Sequence, residues 1–257
     1  MANVETGGTE IWTERGGKGS PTLLLIHGLG ANGTVWEGLK PLVREHWPGA
    51  WVNLDLRGHG RSGHTRPYGF GTYAADIARA LGGQDERVTI VGHSMGGVVA
   101  MALATGWFGL AVERVLAFGV KIAWTEDEVA KTKQIAAAPA RWFDTREEAT
   151  ERYLKVSGLI GLVDPGSPEA AVGIREEGGR FRLAADPWIN AVAGPEIAPV
   201  YRAAQAPVRL AAGDGDKMVS AADMISLDPQ AVTLQGVGHN VQVERPDMIW
   251  KLLEQTA

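Results

Sequence analysis

The stretch Arg87-Val88-Thr89-Ile90-Val91-Gly92-His93-Ser94-Met95-Gly96-Gly97 decides the fold. Residues 87–91 form a short β-branched run that reads as a buried strand, and 98–104 read as a helix. A Gly-x-Ser-x-Gly wedged between a strand and a helix makes a sharp turn that projects the serine hydroxyl at the top of a sheet. Glycines on either side are needed because such a turn packs closely against its neighbours. A glycine-rich turn without chemistry is the bland alternative. The strand before and the helix after favour Ser94 as a nucleophile.

Working outward, the same alternation recurs. Residues 22–26 (TLLLI) are fully apolar and end at His27-Gly28, and 50–54 (AWVNL) end at Asp55. A helical pattern over 72–81 precedes the central strand, and another strand falls within 112–120. Residues 208–212 and 231–234 read as two later strands, followed by a closing helix over 246–255 with Pro246 in its first turn. Repeated βα units predict an α/β fold, a mostly parallel β-sheet flanked by helices. Residues 122–204 behave differently, with helical charge patterning over 126–133 and 145–155 and no convincing strand. That length is too great for a plain loop in a compact domain. The expectation is a core of 1–121 and 205–257 carrying a helical cap insertion, 122–204. It would sit over the carboxyl ends of the strands, where ligands bind in open parallel sheets.

Composition narrows the partners. The chain has 257 residues, 45% hydrophobic and 21% charged, enough for one large domain with an insertion. A net charge of −5 argues against a nucleic-acid partner, which calls for a basic stripe. There is no cysteine, which excludes disulfides, thiolate metal sites and a cysteine nucleophile. No stretch approaches the roughly 20 apolar residues needed to cross a bilayer, and the first residues lack the basic flank and apolar run of a signal peptide. The expected partner is a small-molecule substrate, with no nucleic acid and no membrane, for a cytoplasmic monomer or homodimer.

A serine needs a base within hydrogen-bond reach, and the base needs a carboxylate to orient it. Of six histidines, His239 in Gly238-His239 follows the last predicted strand, where a loop returns to the sheet's carboxyl end. Gly213-Asp214-Gly215-Asp216 follows the strand before it. Asp214 reads as a turn-former, since Asp-Gly is a turn dipeptide, which leaves Asp216 as the orienting acid. The tetrahedral intermediate also needs fixed donors for its oxygen. The backbone N–H of Met95, next to the nucleophile, supplies one, and that of Leu29 in the His27-Gly28-Leu29-Gly30 turn supplies the other. Gly-Leu-Gly-Ala-Asn-Gly (28–33) is neither a Walker loop nor a dinucleotide fingerprint, so the expectation includes no cofactor and no metal.

In order along the chain come His27-Gly28-Leu29-Gly30, the run from Asp55 to Ser62 (DLRGHGRS), the Ser94 turn, Gly213-Asp214-Gly215-Asp216, and Gly238-His239 through Glu244-Arg245-Pro246. Together these resemble the α/β-hydrolase fold family, in its capped serine esterase and haloperoxidase-like branch. The resemblance implies the acid at Asp216, the base in a Gly-His followed by Glu-x-Pro, and a structural, cleft-shaping turn over 55–62. Serine at the turn sets the chain apart from the similar epoxide hydrolases and haloalkane dehalogenases, which carry aspartate there. Relatives that hydrolyse carbon–carbon bonds keep the serine, often in Gly-Asn-Ser; His93 and Leu29 fit the esterase style better.

Trp124, Trp142, Phe143 and Trp188 in the insertion are candidate substrate-binding residues. Trp36 after the first glycine turn and Val219 beside the acid join them. Such side chains would favour a hydrophobic substrate, or simply hold the insertion to the core. The function expected is cleavage of a carboxylic ester, lactone or thioester of a small hydrophobic molecule through an acyl-enzyme. A carbon–carbon bond hydrolase or lyase using the same triad, and a non-catalytic small-molecule receptor, are the alternatives.

Overall fold

The computed structural model describes residues 1–5, 8–82 and 87–255. Its strands are β1 (Ala2–Glu5), β2 (Glu10–Gly16), β3 (Thr22–Ile26), β4 (Trp51–Leu54), β5 (Arg87–His93) and β6 (Ala111–Phe118), then β7 (Trp142–Phe143), β8 (Ile174–Glu177), β9 (Arg180–Leu183), β10 (Val208–Gly213) and β11 (Val232–Leu234). Eight of them form one sheet in the order β1-β2-β4-β3-β5-β6-β10-β11. Only the β1–β2 and β2–β4 pairs are antiparallel; every later pair is parallel. The chain therefore enters as a hairpin at one edge, a feature not expected from the sequence. β2 buries Ile11, Trp12 and Thr13 in a row and carries Glu10, Glu14 and Arg15 on either side of them, so neither an alternation nor a long apolar run marks it.

Pleating sorts the apolar run of β3 onto two faces. Leu24 and Ile26 join one buried cluster, and Leu23 and Leu25 the other. On the first face pack α2 (Phe70–Leu81) and α3 (Met95–Leu103); α3 is buried on every side, as its apolar sequence requires. On the second pack α1 (Lys40–His46) and the C-terminal helix, whose Ile249, Trp250, Leu252 and Leu253 are buried.

The insertion leaves after β6 and returns before β10. It holds α4 (Glu126–Ala137), α5 (Arg146–Val156), the short α6 (Pro168–Ala171) and α7 (Ala198–Ala203). It also holds a three-stranded antiparallel sheet, β7-β9-β8, so the expectation of a purely helical insertion without strands is corrected. β7 is only two residues long, and β8 and β9 are four each and rich in arginine or glutamate, which leaves no apolar alternation to read. After β10 come α8 (Ala221–Leu227), α9 (Val241–Glu244) and α10 (Pro246–Gln255). Among the described residues, no helix is long and apolar enough to cross a membrane.

The insertion is tied to the core by polar contacts. Asn32 Nδ2 donates to the Tyr153 hydroxyl (2.9 Å), and Arg175 donates to the carbonyls of Gly60 (3.0 Å) and Ser62 (2.8 Å). Those carbonyls belong to the 55–62 turn, which is itself built on a buried carboxylate. Asp55 accepts from Gly33 N–H (2.7 Å) and Arg61 N–H (2.8 Å), and from the Arg61 guanidinium (2.7 and 2.9 Å).

His59 of this turn and His27 are both buried, with ring centroids 5.0 Å apart. His27 Nε2 accepts from Leu56 N–H (2.9 Å) while its Nδ1 faces the Gly28 carbonyl (2.8 Å), which suits the neutral ring protonated on Nδ1. Burial holds both imidazoles below the usual histidine value, and in His59 the neighbouring His27 adds to the effect. The unfolded chain takes up protons that the folded chain refuses, so this stability is present above pH 6.5 and is lost as pH falls below it. The unfolding free energy should drop by up to about 1.4 kcal/mol per pH unit for each such histidine below that value. Thermal melts from pH 7.5 to 5 should show a falling Tm; a flat profile contradicts the neutral assignment.

Candidate active site

β3 and β5 are neighbours, but β4 follows β3 on one side and β5 starts the other. The chain thus reverses direction across the sheet at this pair, and a crevice opens between the two turns that leave it. One turn carries Leu29, the other Ser94.

Ser94 has φ 52° and ψ −119°, and it is the one non-glycine residue with positive φ among those described. The strained backbone is held by Ser94 N–H donating to the Phe118 carbonyl (2.8 Å). The glycine requirement is a matter of contact distance. A Cβ on Gly96 would lie 2.4 Å from the Ile26 carbonyl oxygen and 2.5 Å from that of His27. One on Gly92 would lie 2.5 Å from the Gly96 carbonyl oxygen. Met95 is the first residue of α3, so its N–H has no acceptor within the helix.

Two further turns bring in an acid and an imidazole. After β10, Asp216 points inward with its carboxylate buried, and Oδ2 lies 2.7 Å from His239 Nδ1. Its Oδ1 accepts from the N–H groups of Met218 (2.8 Å) and Val219 (3.2 Å). The carboxylate is thus fully partnered and fixed. Asp214 does something else: it is exposed and accepts from Gly236 N–H (2.8 Å), closing the turn after β11. With Nδ1 bound to Asp216, His239 keeps Nε2 for the cavity that it shares with Ser94.

The loop bearing His239 is clamped by two side chains, Glu244 and His93. The Glu244 carboxylate accepts from Gly238 N–H (2.7 Å) and Asn240 N–H (3.2 Å), the residues on either side of the imidazole. His93 Nε2 lies 3.0 Å from the His239 carbonyl oxygen and donates to it. Burial, then the neighbouring His239, keeps the His93 ring well below the usual histidine value and so neutral. The only sequence trace of this clamp is the Glu-x-Pro spacing after Gly-His.

The cavity above Ser94 encloses about 390 Å³. It is lined by Leu29, Ser94, Met95 and His239, by Phe70 and Val98 of the core, and by Trp124, Val156, Val192 and Ile197 of the insertion. Lys121, ion-paired with Glu128 and 4.9 Å from the Trp124 ring centroid, stands at its edge. Of the candidate substrate residues, only Trp124 lines this cavity. Trp36 is fully buried, edge-on to Phe118. Trp142 is half-buried beside Arg182, and Trp188 is 42% exposed beneath Arg66. Phe143 is buried and borders a neighbouring cavity instead. Val219 is buried beside the acid, and Met218 takes its place on the wall. These aromatic and apolar residues mostly serve packing, which claims large apolar side chains wherever they fall.

A family model described as the alpha/beta hydrolase family matches residues 23–251, and the chain belongs to that family. It is 44% identical over 86 residues to an uncharacterized protein of Mycobacterium tuberculosis (strain ATCC 25618 / H37Rv), covering 33% of this chain and 25% of that one. With lipase LipV of the same organism the identity is 30% over 159 residues, covering 61% and 58%. The chain thus spans a quarter of the length of the first relative and under two thirds of the second. The solved thioesterase domain from the curacin biosynthetic pathway superposes with a TM-score of 0.78 at 21% identity, over 99% of this chain and 98% of the other. At that identity the likeness is one of fold.

The clamp on the His239 loop carries a stability consequence. Glu244→Gln keeps one acceptor oxygen and turns the other into a donor facing an N–H. The variant should lose about 1–3 kcal/mol in urea unfolding. A loss below a few tenths would remove Glu244 from the clamp.

Proposed function

We propose that the protein is a serine hydrolase that cleaves a carboxylic ester, or a lactone or thioester, of a small and largely apolar molecule. The observation that carries this reading is the 2.7 Å contact of buried Asp216 with His239 Nδ1, which turns the other ring nitrogen toward the cavity holding the strained Ser94.

Ser94 Oγ attacks the carbonyl carbon while His239 Nε2 takes the hydroxyl proton. Asp216 holds the ring in the tautomer protonated on Nδ1 and stabilises the imidazolium that forms. The carbonyl oxygen becomes an oxyanion, with the N–H groups of Met95 and Leu29 as its donors. The intermediate collapses, the carbon–oxygen bond to the leaving group (carbon–sulfur in a thioester) breaks, and His239 returns the proton to the departing oxygen or sulfur. Water then attacks the acyl-enzyme with the same imidazole as base, releasing the acid and Ser94. The apolar side chains among the lining support a largely apolar substrate and help keep water from the acyl-enzyme.

A fluorophosphonate probe should label the wild-type protein and leave Ser94→Ala unlabelled; equal labelling of the two excludes Ser94. On p-nitrophenyl esters, Asp216→Asn should lower kcat by about 10³–10⁴-fold through the wrong imidazole tautomer. Asp214→Asn, which touches only the Gly236 turn, should stay within a few-fold of wild type. The reverse order in paired kinetics would move the acid to Asp214.

A further inference from the structure

The Leu29 turn and the His239 loop leave strands that are not neighbours. In the sheet β3 and β11 are separated by β5, β6 and β10. Strand pairing alone therefore does not register one loop against the other. Both loops are instead bonded to one short piece of the insertion, the C-terminal end of α5.

At the first joint, Ala31 N–H closes the Leu29 turn on the Gly28 carbonyl (3.3 Å), and Asn32 follows directly. Asn32 Oδ1 accepts from the N–H (3.0 Å) and hydroxyl (2.7 Å) of Thr34, which leaves Nδ2 to reach the Tyr153 hydroxyl (2.9 Å). At the second joint, α5 ends on Gly158 with φ 70°, and Leu159 N–H returns to the Leu154 carbonyl (2.7 Å). The carbonyls of Ser157 and Gly158 both accept from Asn240 Nδ2, at 3.2 and 3.0 Å. A Cβ on Gly158 would lie 2.9 Å from that nitrogen, so glycine serves both the turn and the approach. Asn240 Oδ1 accepts from Gln242 Nε2 (3.1 Å), which fixes the orientation of the amide. Between the joints, Ser157 N–H (3.0 Å) and hydroxyl (2.7 Å) both bind the Tyr153 carbonyl. Asn32, Tyr153 and Asn240 are at most 2% exposed, so water does not compete for these bonds.

We infer, resting on the hydrolase reading above, that the end of α5 is a strut of the catalytic site, with Tyr153 and Asn240 as positioning residues. Tyr153 acts through Asn32 on the turn that carries the Leu29 N–H. Asn240 acts on the loop that carries His239. The stiff helix end between them sets the separation of oxyanion donor and base, and a displacement of about 1 Å there costs up to about 10²-fold in rate. Tyr153 and Asn32 do not line the Ser94 cavity, so the first joint works through geometry and not through contact with substrate.

Tyr153→Phe removes one hydroxyl and keeps the ring. Per serine titrated with a fluorophosphonate, it should hydrolyse p-nitrophenyl butyrate with kcat about tenfold lower and KM within about twofold of wild type. A trifluoromethyl ketone of the same chain length forms a hemiketal whose oxyanion takes the Leu29 and Met95 N–H groups. Tyr153→Phe should bind it about tenfold more weakly. Asn32→Ala cuts the same link, so Asn32→Ala/Tyr153→Phe should be no slower than Asn32→Ala alone. Asn32→Ala also reads the first joint should Tyr153→Phe fail to fold. Asn240→Ala, at the second joint, should lower kcat per titrated serine by about tenfold. Variants that melt earlier but keep wild-type kcat and ketone affinity reduce the strut to packing and overturn the inference, as do additive losses in the double variant. A wild-type protein that takes no fluorophosphonate and hydrolyses no ester fails the hydrolase reading and the strut with it. Wild-type turnover with undiminished variants fails the strut alone.

Discussion

Everything at the crevice depends on one close approach: the backbone of Gly96 sits against the carbonyls of Ile26 and His27, nearer than any side chain would allow. That contact packs the start of α3 onto the end of β3 and forces Ser94 into its positive-φ turn. The same contact sets the distance between the two N–H groups that flank the crevice, since Met95 belongs to one partner and Leu29 to the other. Backbone strain of about 1–3 kcal/mol at a single residue is tolerable because β5, paired on both sides, over-determines the turn. Position in the sheet thus does the work that a flexible loop could not.

The polar groups around this contact are arranged so that few charges are left to chance. Asp216 and Glu244 each spread a carboxylate over neighbouring N–H donors, and Asp55 does the same beneath the 55–62 turn. His27, His59 and His93 are kept neutral by burial, so each can both donate and accept. His239 differs from them in its surroundings: it meets both a buried carboxylate and an open cavity. Four histidines in one neighbourhood are therefore separated by environment: His27 and His93 are bonded at both ring nitrogens, His59 through Nδ1, and His239 stands at the surface of the crevice.

Legibility in the sequence follows how local each constraint is. The Ser94 turn is readable because its glycines answer to contacts made by adjacent residues and their immediate strand neighbour. The parallel strands are readable because burial on both faces leaves runs such as 22–26 without polar interruption. Asp216 and His239 could be proposed from their places after successive strands, but their contact is a property of two loops meeting in space. The antiparallel sheet of the insertion was invisible because a two-residue strand and the arginine-rich 180–183 carry no period. Aromatic residues misled for a related reason: Trp36 and Phe143 are large and apolar, and sequence alone cannot tell which side of such a ring meets a core and which a cavity.

The insertion's own chemistry is no more legible in the sequence. Scattered arginines at 141, 146, 152, 175, 180 and 182 look equivalent in a linear reading. Folding sorts them: three are spent on carboxylates, Arg175 on the carbonyls that tie the insertion to the core, Arg141 stacks over the Phe143 ring, and Arg152 stays exposed on α5. The sorting depends on which carboxylates the short sheet β7-β9-β8 brings within reach, and that sheet has no signature of its own. Because Arg175 grips the 55–62 turn and Asn32 grips Tyr153, the insertion is registered to the same elements that hold Leu29.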